Sequence, residues 1–290
     1  MLEDGKVILC WPNHANTATI SGGAWEPELP ARQLLDPTFA EQARSIDANP
    51  ANTQTLLTLA RFLPVGVVAI AAHNLTAVAN WRVTVYFDAA ATDMAWQSDW
   101  LRVWPAVYAT SELEWEYDNF WGGEFDDDDR ASFTPLATLF LPNVQIARAV
   151  RIEIDDSGNP AGFISAGRVF VSNVWQPTYN MSYGVQWGYD IDTEFETAGD
   201  ANRTEYADPA TPKRTVSFAL EHLDREEGFR RALAAQRQIG LHGEILYAEG
   251  GRATPESFAT TILARQVQVN PLSHPYFGTY ANSMALREIL

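Results

Sequence analysis

A two-residue hydrophobic period recurs along this chain and constrains its fold more than any other feature. In Trp81–Phe87, Val83, Val85 and Phe87 alternate with Arg82, Thr84 and Tyr86. Successive side chains of an extended chain point to opposite faces, so this run predicts a half-buried strand. Residues 148–155 repeat the pattern, and in 214–222 Val216, Phe218 and Leu220 alternate with Thr215, Ser217 and Ala219. Further strand-sized runs lie at 5–11, 16–25, 54–59, 65–71, 167–174, 241–247, 261–269 and 284–290. Gly22-Gly23, Ser157-Gly158-Asn159-Pro160 and the Pro-rich stretch 271–280 supply turn chemistry between them. Strands and helices do not alternate, which argues against Rossmann-like and α/β-barrel enzymes.

One stretch breaks the pattern. Asp224 stands three residues before Glu227, a capping-box spacing, and Gly240 is a natural stop. The sequence predicts a helix over 224–239 with Phe229, Leu233 and Ile239 on its apolar face and Arg230, Arg231 and Arg237 toward its C-terminal end. Residues 199–213, rich in Asp, Asn, Pro and Thr, read as a loop. The expected fold is mainly β: an N-terminal jelly-roll β-sandwich (1–177) plus a smaller C-terminal β-rich (α+β) domain (178–290) with one helix. A long aromatic and acidic insertion, 92–134, interrupts the first domain.

The chain has 290 residues and a formal net charge of −17, which disfavours phosphate backbones and anionic membrane surfaces as partners. Its single cysteine, Cys10, excludes an internal disulfide. The N-terminal residues lack a signal-peptide pattern and the longest apolar run, Val65–Ala72, is only strand-sized. Synthesis in the cytoplasm, without membrane insertion, is therefore expected.

The sequence holds no GxSxG elbow, phosphate loop, HExxH or CxxC. Histidines 14, 73, 222, 242 and 274 are scattered. No catalytic residue and no cofactor are assigned, and no enzyme activity is expected. Three features of the insertion hold potential chemistry. Asp126, Asp127, Asp128 and Asp129 are hard oxygen donors that would suit calcium, although the alternating spacing of a calcium loop is missing; a solvated acidic loop is the plainer reading. Glu112, Glu114 and Glu116 would share one face of a strand, as a sheet-protecting edge or as an acid–base pair. Trp96, Trp100, Trp104, Trp115 and Trp121 could stack on sugar rings, or bury in the core or against a neighbouring subunit.

Two resemblances follow from particular residues. Ala43-Arg44-Ser45-Ile46-Asp47, Thr55–Leu59, Val67–Ile70 with His73-Asn74-Leu75, Trp81–Tyr86, Arg151–Ile154 and Arg168–Val171 make the first ~175 residues resemble a galactose-binding-like, discoidin-type jelly roll. The whole chain is similar to siphophage tail proteins through Arg214–Leu223 (R-x-x-S-F-x-L-x-x-L) and Pro271–Gly278 (P-x-S-H-P-x-F-G). This similarity implies a structural component of a tailed-bacteriophage virion, at the tail tip or baseplate. It also implies a location in the virion tail, other phage tail proteins as partners, and multiple copies in a symmetric assembly. The alternative expectation is a carbohydrate-binding module contacting host surface glycans. A glycoside hydrolase or lyase ranks below both.

Overall fold

A computed structural model describes residues 2–39, 41–109, 111–116, 119–125, 130, 134–198, 204–251 and 254–289. The expected mainly-β, antiparallel architecture is observed. The chain divides into two compact units, Met1–Gln176 with Glu244–Leu263, and Pro177–Gly243 with Ala264–Leu290. The first unit is therefore built from two segments of the chain, the later of which, Glu244–Leu263, lies within the range expected for the C-terminal domain.

In the first unit the strands are β1 Val7–Cys10, β2 Thr19–Ser21, β3 Ala43–Arg44, β4 Thr55–Ala71, β5 Asn80–Tyr86, β6 Met94–Gln97, β7 Leu101–Arg102, β8 Leu136–Asp155, β9 Ser165–Ala166 and β10 Arg168–Ser172. A short helix, α1 (Pro50–Thr53), precedes β4. The runs 54–59 and 65–71 are not separate strands. They are the two halves of β4, which pairs with β8 from Thr55↔Ile152 to Ala71↔Leu136, with register shifts between Thr58 and Leu63 and between Val65 and Val67. The first half also pairs with β2, and the second with β10. On the other side of β8 lies β5, which carries β6 and β7.

Burial explains the pattern. The first half of β4 alternates buried Leu57 and Leu59 with partly exposed Leu56 and Thr58, whereas Val65 and Val67–Ala71 are all buried. Leu57, Val68 and Ile70 meet Val83 and Val85 of β5, Val150 and Ile152 of β8, and Val169 and Val171 of β10 in one core. Gly23, at φ +67°, makes the tight turn that the Gly pair predicted.

In the second unit the strands are β11 Gln186–Asp190, β12 Glu194–Ala198, β13 Thr204–Asp208 and β14 Lys213–Leu223. A π-helical stretch, Glu227–Leu233, continues into the α-helix Ala234–Ile239; together they are α2. The chain then returns to the first unit, where β15 (Ile245–Glu249) pairs with β1 and is followed by a short helix, α3 (Pro255–Thr260). β16 (Ile262–Gln268), β17 (Ser273–Tyr276) and β18 (Thr279–Glu288) complete the chain. The second unit's sheet runs β16–β18–β14–β11, with β17 on β18. Val216, Phe218 and Leu220 are buried as their alternation predicted.

Two expectations fail in this unit. Residues 199–213 are not wholly a loop, because Thr204–Asp208 forms β13 and pairs with β12. The helix occupies the expected place, and Asp224 accepts the Glu227 N–H at 2.7 Å, but Glu227 turns its carboxylate to Thr178 instead of closing a capping box. Its apolar face is also rotated. Gly228, Ala232, Ala235 and Ile239 are buried, while Phe229 and Leu233 are 44% and 40% exposed. The π-helical turn changes the residue phase, and the helix lies on β18 through small side chains. A Cβ on Gly228 would sit 3.1 Å from Tyr280.

Candidate functional site

The segment between β5 and β8 carries all five candidate tryptophans. Its beginning belongs to the sheet: Trp96 lies opposite Val85 and Leu101 opposite Trp81. Beyond β7 the described chain is turns, pinned at both ends by aromatic packing. Val103 and Trp104 after β7, and Phe125 further along, are all buried in the core of the unit. The Trp104 indole N–H donates to the Leu75 carbonyl at 3.1 Å. Its ring meets His73 edge-on at 5.8 Å and Phe258, on α3, at 5.3 Å. Phe125 packs on the same Phe258 ring at 4.9 Å. Glu124 and Arg102 pair at 3.0 Å, and the Val107 and Tyr108 N–H groups both donate to the Gly123 carbonyl.

These anchors separate the five tryptophans. Trp104 is 3% exposed and structural, which corrects its candidacy for ligand stacking. Trp96 is partly buried against the core. Trp100 is 44% exposed beneath the Arg82 guanidinium, 4.6 Å from the ring centroid. Arg82 is held there by a two-bond fork to Glu153, both at 2.9 Å. Trp115 and Trp121 are 74% and 87% exposed. Phe120 meets Trp121 edge-on at 5.0 Å.

The carboxylates are arranged differently from the expectation. Residues 111–116 form turns, so a strand does not place Glu112, Glu114 and Glu116 on one face. Glu112 accepts the Ala109 N–H at 2.8 Å, and all three residues are exposed. The candidate cation ligands Asp126, Asp127, Asp128 and Asp129 lie outside the described residues. Among the described residues, no group of three or more His, Cys, Asp and Glu side chains is gathered as a metal site would require.

Four histidines have local packing or hydrogen-bond roles in the structure. His14 Nε2 lies 3.0 Å from the Pro64 carbonyl, and burial lowers its pKa. His73 is fully buried, and desolvation lowers its pKa to about 4, against the opposing pull of Asp156. Asp156 itself accepts from the Thr76 N–H and hydroxyl and from Asn159, closing the loop after β8. His222 packs edge-on to Tyr179, and His274 stacks on Tyr280 at 4.5 Å.

A second surface was not singled out by sequence. In β12 and β13 every described side chain is exposed, including Phe195 and Tyr206 at 65% and 61%. Among the described residues the two strands pair only with each other. In β11, Trp187 and Tyr189 sit opposite Val216 and Arg214, on the buried face of β14, yet are 52% and 65% exposed. The aromatic content of 178–196 was the available signal; its exposure depended on packing.

No family model and no curated protein matches the chain. Solved structures do resemble it. A histidine mutant of the lectin-binding domain of lectinolysin, complexed with Lewis b, aligns at 14% identity over 56% of this chain and 96% of that one, with a TM-score of 0.36. The family 32 carbohydrate-binding module from C. perfringens NanJ, in complex with galactose, aligns at 12% identity over 58% and 99%, with a TM-score of 0.37. Chitosan-binding module 1 of a Paenibacillus sp. IK-5 chitosanase/glucanase aligns at 15% identity over 56% and 100%, with a TM-score of 0.35.

Proposed function

We propose that this chain is a non-catalytic carbohydrate-binding protein whose glycan surface is the segment carrying Trp100, Trp115 and Trp121. The observation that carries this reading is the exposure of Trp115 and Trp121, at 74% and 87%, on a segment anchored by Trp104 and Phe125. A flat indole face stacks on the apolar side of a pyranose ring, and carboxylates accept its hydroxyl protons. Glu114 and Glu116 are exposed in the same turns. The test is a glycan array followed by titration calorimetry. A bound glycan should lose about tenfold in affinity with Trp115→Ala or Trp121→Ala, the scale of one aromatic contact. A folded parent that binds no glycan on the array sinks the reading.

A second reading, a structural component of the tail tip or baseplate of a tailed bacteriophage, is favoured by the β12–β13 ribbon. Two strands alone are marginal in water, and an uncovered aromatic ribbon calls for a protein partner. The similarity of Arg214–Leu223 and Pro271–Gly278 to siphophage tail proteins supplies the kind of assembly. Immunogold electron microscopy of intact virions tests it: labelling at the tail end supports it, and unlabelled particles oppose it.

A further inference from the structure

We propose that the β12–β13 ribbon of one copy docks on the outer face of α2 of a second copy, joining the chains head to tail. This inference rests on the assembly reading and is independent of the glycan reading.

The ribbon's register decides which side chains share a face. Glu194 pairs with Asp208, and Glu196 with Tyr206, so directly opposed residues place these four side chains together. One face of the ribbon is therefore a tyrosine among three carboxylates. None of the three makes an ion pair among the described residues. Phe195 stands on the opposite face.

The outer face of α2 has the complementary character. Phe229 and Leu233 face outward because the small residues Gly228, Ala232 and Ala235 take the buried side. They line an open hollow together with Arg237. Arg225 lies 5.7 Å from the Phe229 ring centroid, and Arg230 reaches Glu226 at 3.0 Å in a fully wet pair. In a chain of net charge −17, the stretch 225–237 carries four arginines against two glutamates, Glu226 and Glu227, so this face has a local excess of positive charge.

The occupant follows from charge and shape. An acidic ribbon with an aromatic centre matches a basic groove with an apolar floor. Both belong to the same unit, and both are exposed in the single chain. Two different surfaces of one molecule that fit each other make a heterologous contact, which generates rings or filaments. Docking places Tyr206 against Phe229 and Leu233, and the carboxylates against Arg225 and Arg237. It also covers a two-stranded ribbon that, among the described residues, joins no larger sheet.

The test uses the full chain and sedimentation velocity at micromolar concentration. Two variants are made: Glu194→Arg with Glu196→Arg, and Arg225→Glu with Arg237→Glu. All four positions are exposed, so both variants should keep the parent's circular-dichroism spectrum and unfold cooperatively. The parent should sediment as oligomers that shrink with added salt. Each variant alone should be monomeric. Their equimolar mixture should assemble into oligomers of alternating copies, because the reversed ribbon of one meets the reversed groove of the other and the unchanged ribbon of the second meets the unchanged groove of the first. Combining all four reversals in one chain should restore oligomers. If either variant assembles like the parent, the pairing is wrong while assembly stands. A parent that stays monomeric overturns the pairing, and immunogold labelling of virions then decides the assembly reading separately.

Discussion

Arg168 and Glu244, 76 residues apart in sequence, meet as a two-bond fork, Nε to Oε1 at 2.8 Å and Nη2 to Oε2 at 2.7 Å, with side-chain exposures of 0% and 1%. Glu244 also accepts from the Asn13 side chain at 2.8 Å, and Arg168 also donates to the Leu34 carbonyl and to Asn16. The cluster thereby ties the start of the returning segment to β10 and to the N-terminal strand region. Removing one partner leaves a buried charge alone. Glu244→Ala is expected to cost about 3–5 kcal/mol in urea unfolding, whereas Arg168→Met with Glu244→Leu should recover most of that loss. Equal losses in the single and double variants would show that the pair is not what holds this segment.

His73 makes stability depend on pH. Its ordinary value is 6.5 and burial lowers it to about 4, so the folded state favours the neutral ring. Between these values the unfolded chain binds more protons than the folded one. The His73 contribution is therefore full above pH 6.5, declines as pH falls toward 4, and falls no further below that. A lowering of this size corresponds to roughly 3 kcal/mol at most. His14 shifts in the same direction through its own burial. Unfolding free energies measured at pH 7 and pH 4 should differ less in His73→Leu than in the parent; an unchanged difference refutes the assignment.

The tryptophans should divide into two classes. Trp104→Ala removes a buried ring wedged among His73, Phe258 and the Leu75 carbonyl, and should cost about 3–5 kcal/mol. Trp121→Ala removes an exposed ring and should change stability by less than about 0.5 kcal/mol. Thermal unfolding of the two variants, read against glycan binding, separates a core role from a ligand role.

Gly23 and Gly162 offer a backbone contrast. Both have positive φ, +67° and +74°. A Cβ on Gly23 would lie 2.5 Å from the Asn52 and Gln54 carbonyl oxygens, while one on Gly162 meets nothing within 4 Å. Gly162→Ala should cost only the conformational penalty, about 1 kcal/mol. Gly23→Ala adds a clash with main chain that must move, and should cost several times more. Comparable unfolding midpoints for the two variants would contradict this account.

The β architecture was legible because period-two alternation is a local property of the chain. Val83 and Val85 of β5, and Val216, Phe218 and Leu220 of β14, face the interior as their spacing implies. The helix at 224–239 was legible from Asp224 and Gly240 for the same reason. Its buried face was not, because a π-helical turn shifts the phase by an amount that packing on β18 selects. β13 was hidden by polar composition: its residues are held by pairing with β12, not by a buried stripe.

By itself, then, the sequence determined that the segments with apolar alternation extend, and how strongly acidic the chain is. These depend on neighbouring residues. Tertiary structure decided which tryptophans face water, since Trp104 is covered by Phe258 from 154 positions further along the chain while Trp121 is left outside. It also decided that Glu244 returns to the first unit, through a buried pair with Arg168. Such contacts join residues far apart in sequence, and their free energy exists only once both ends are desolvated together.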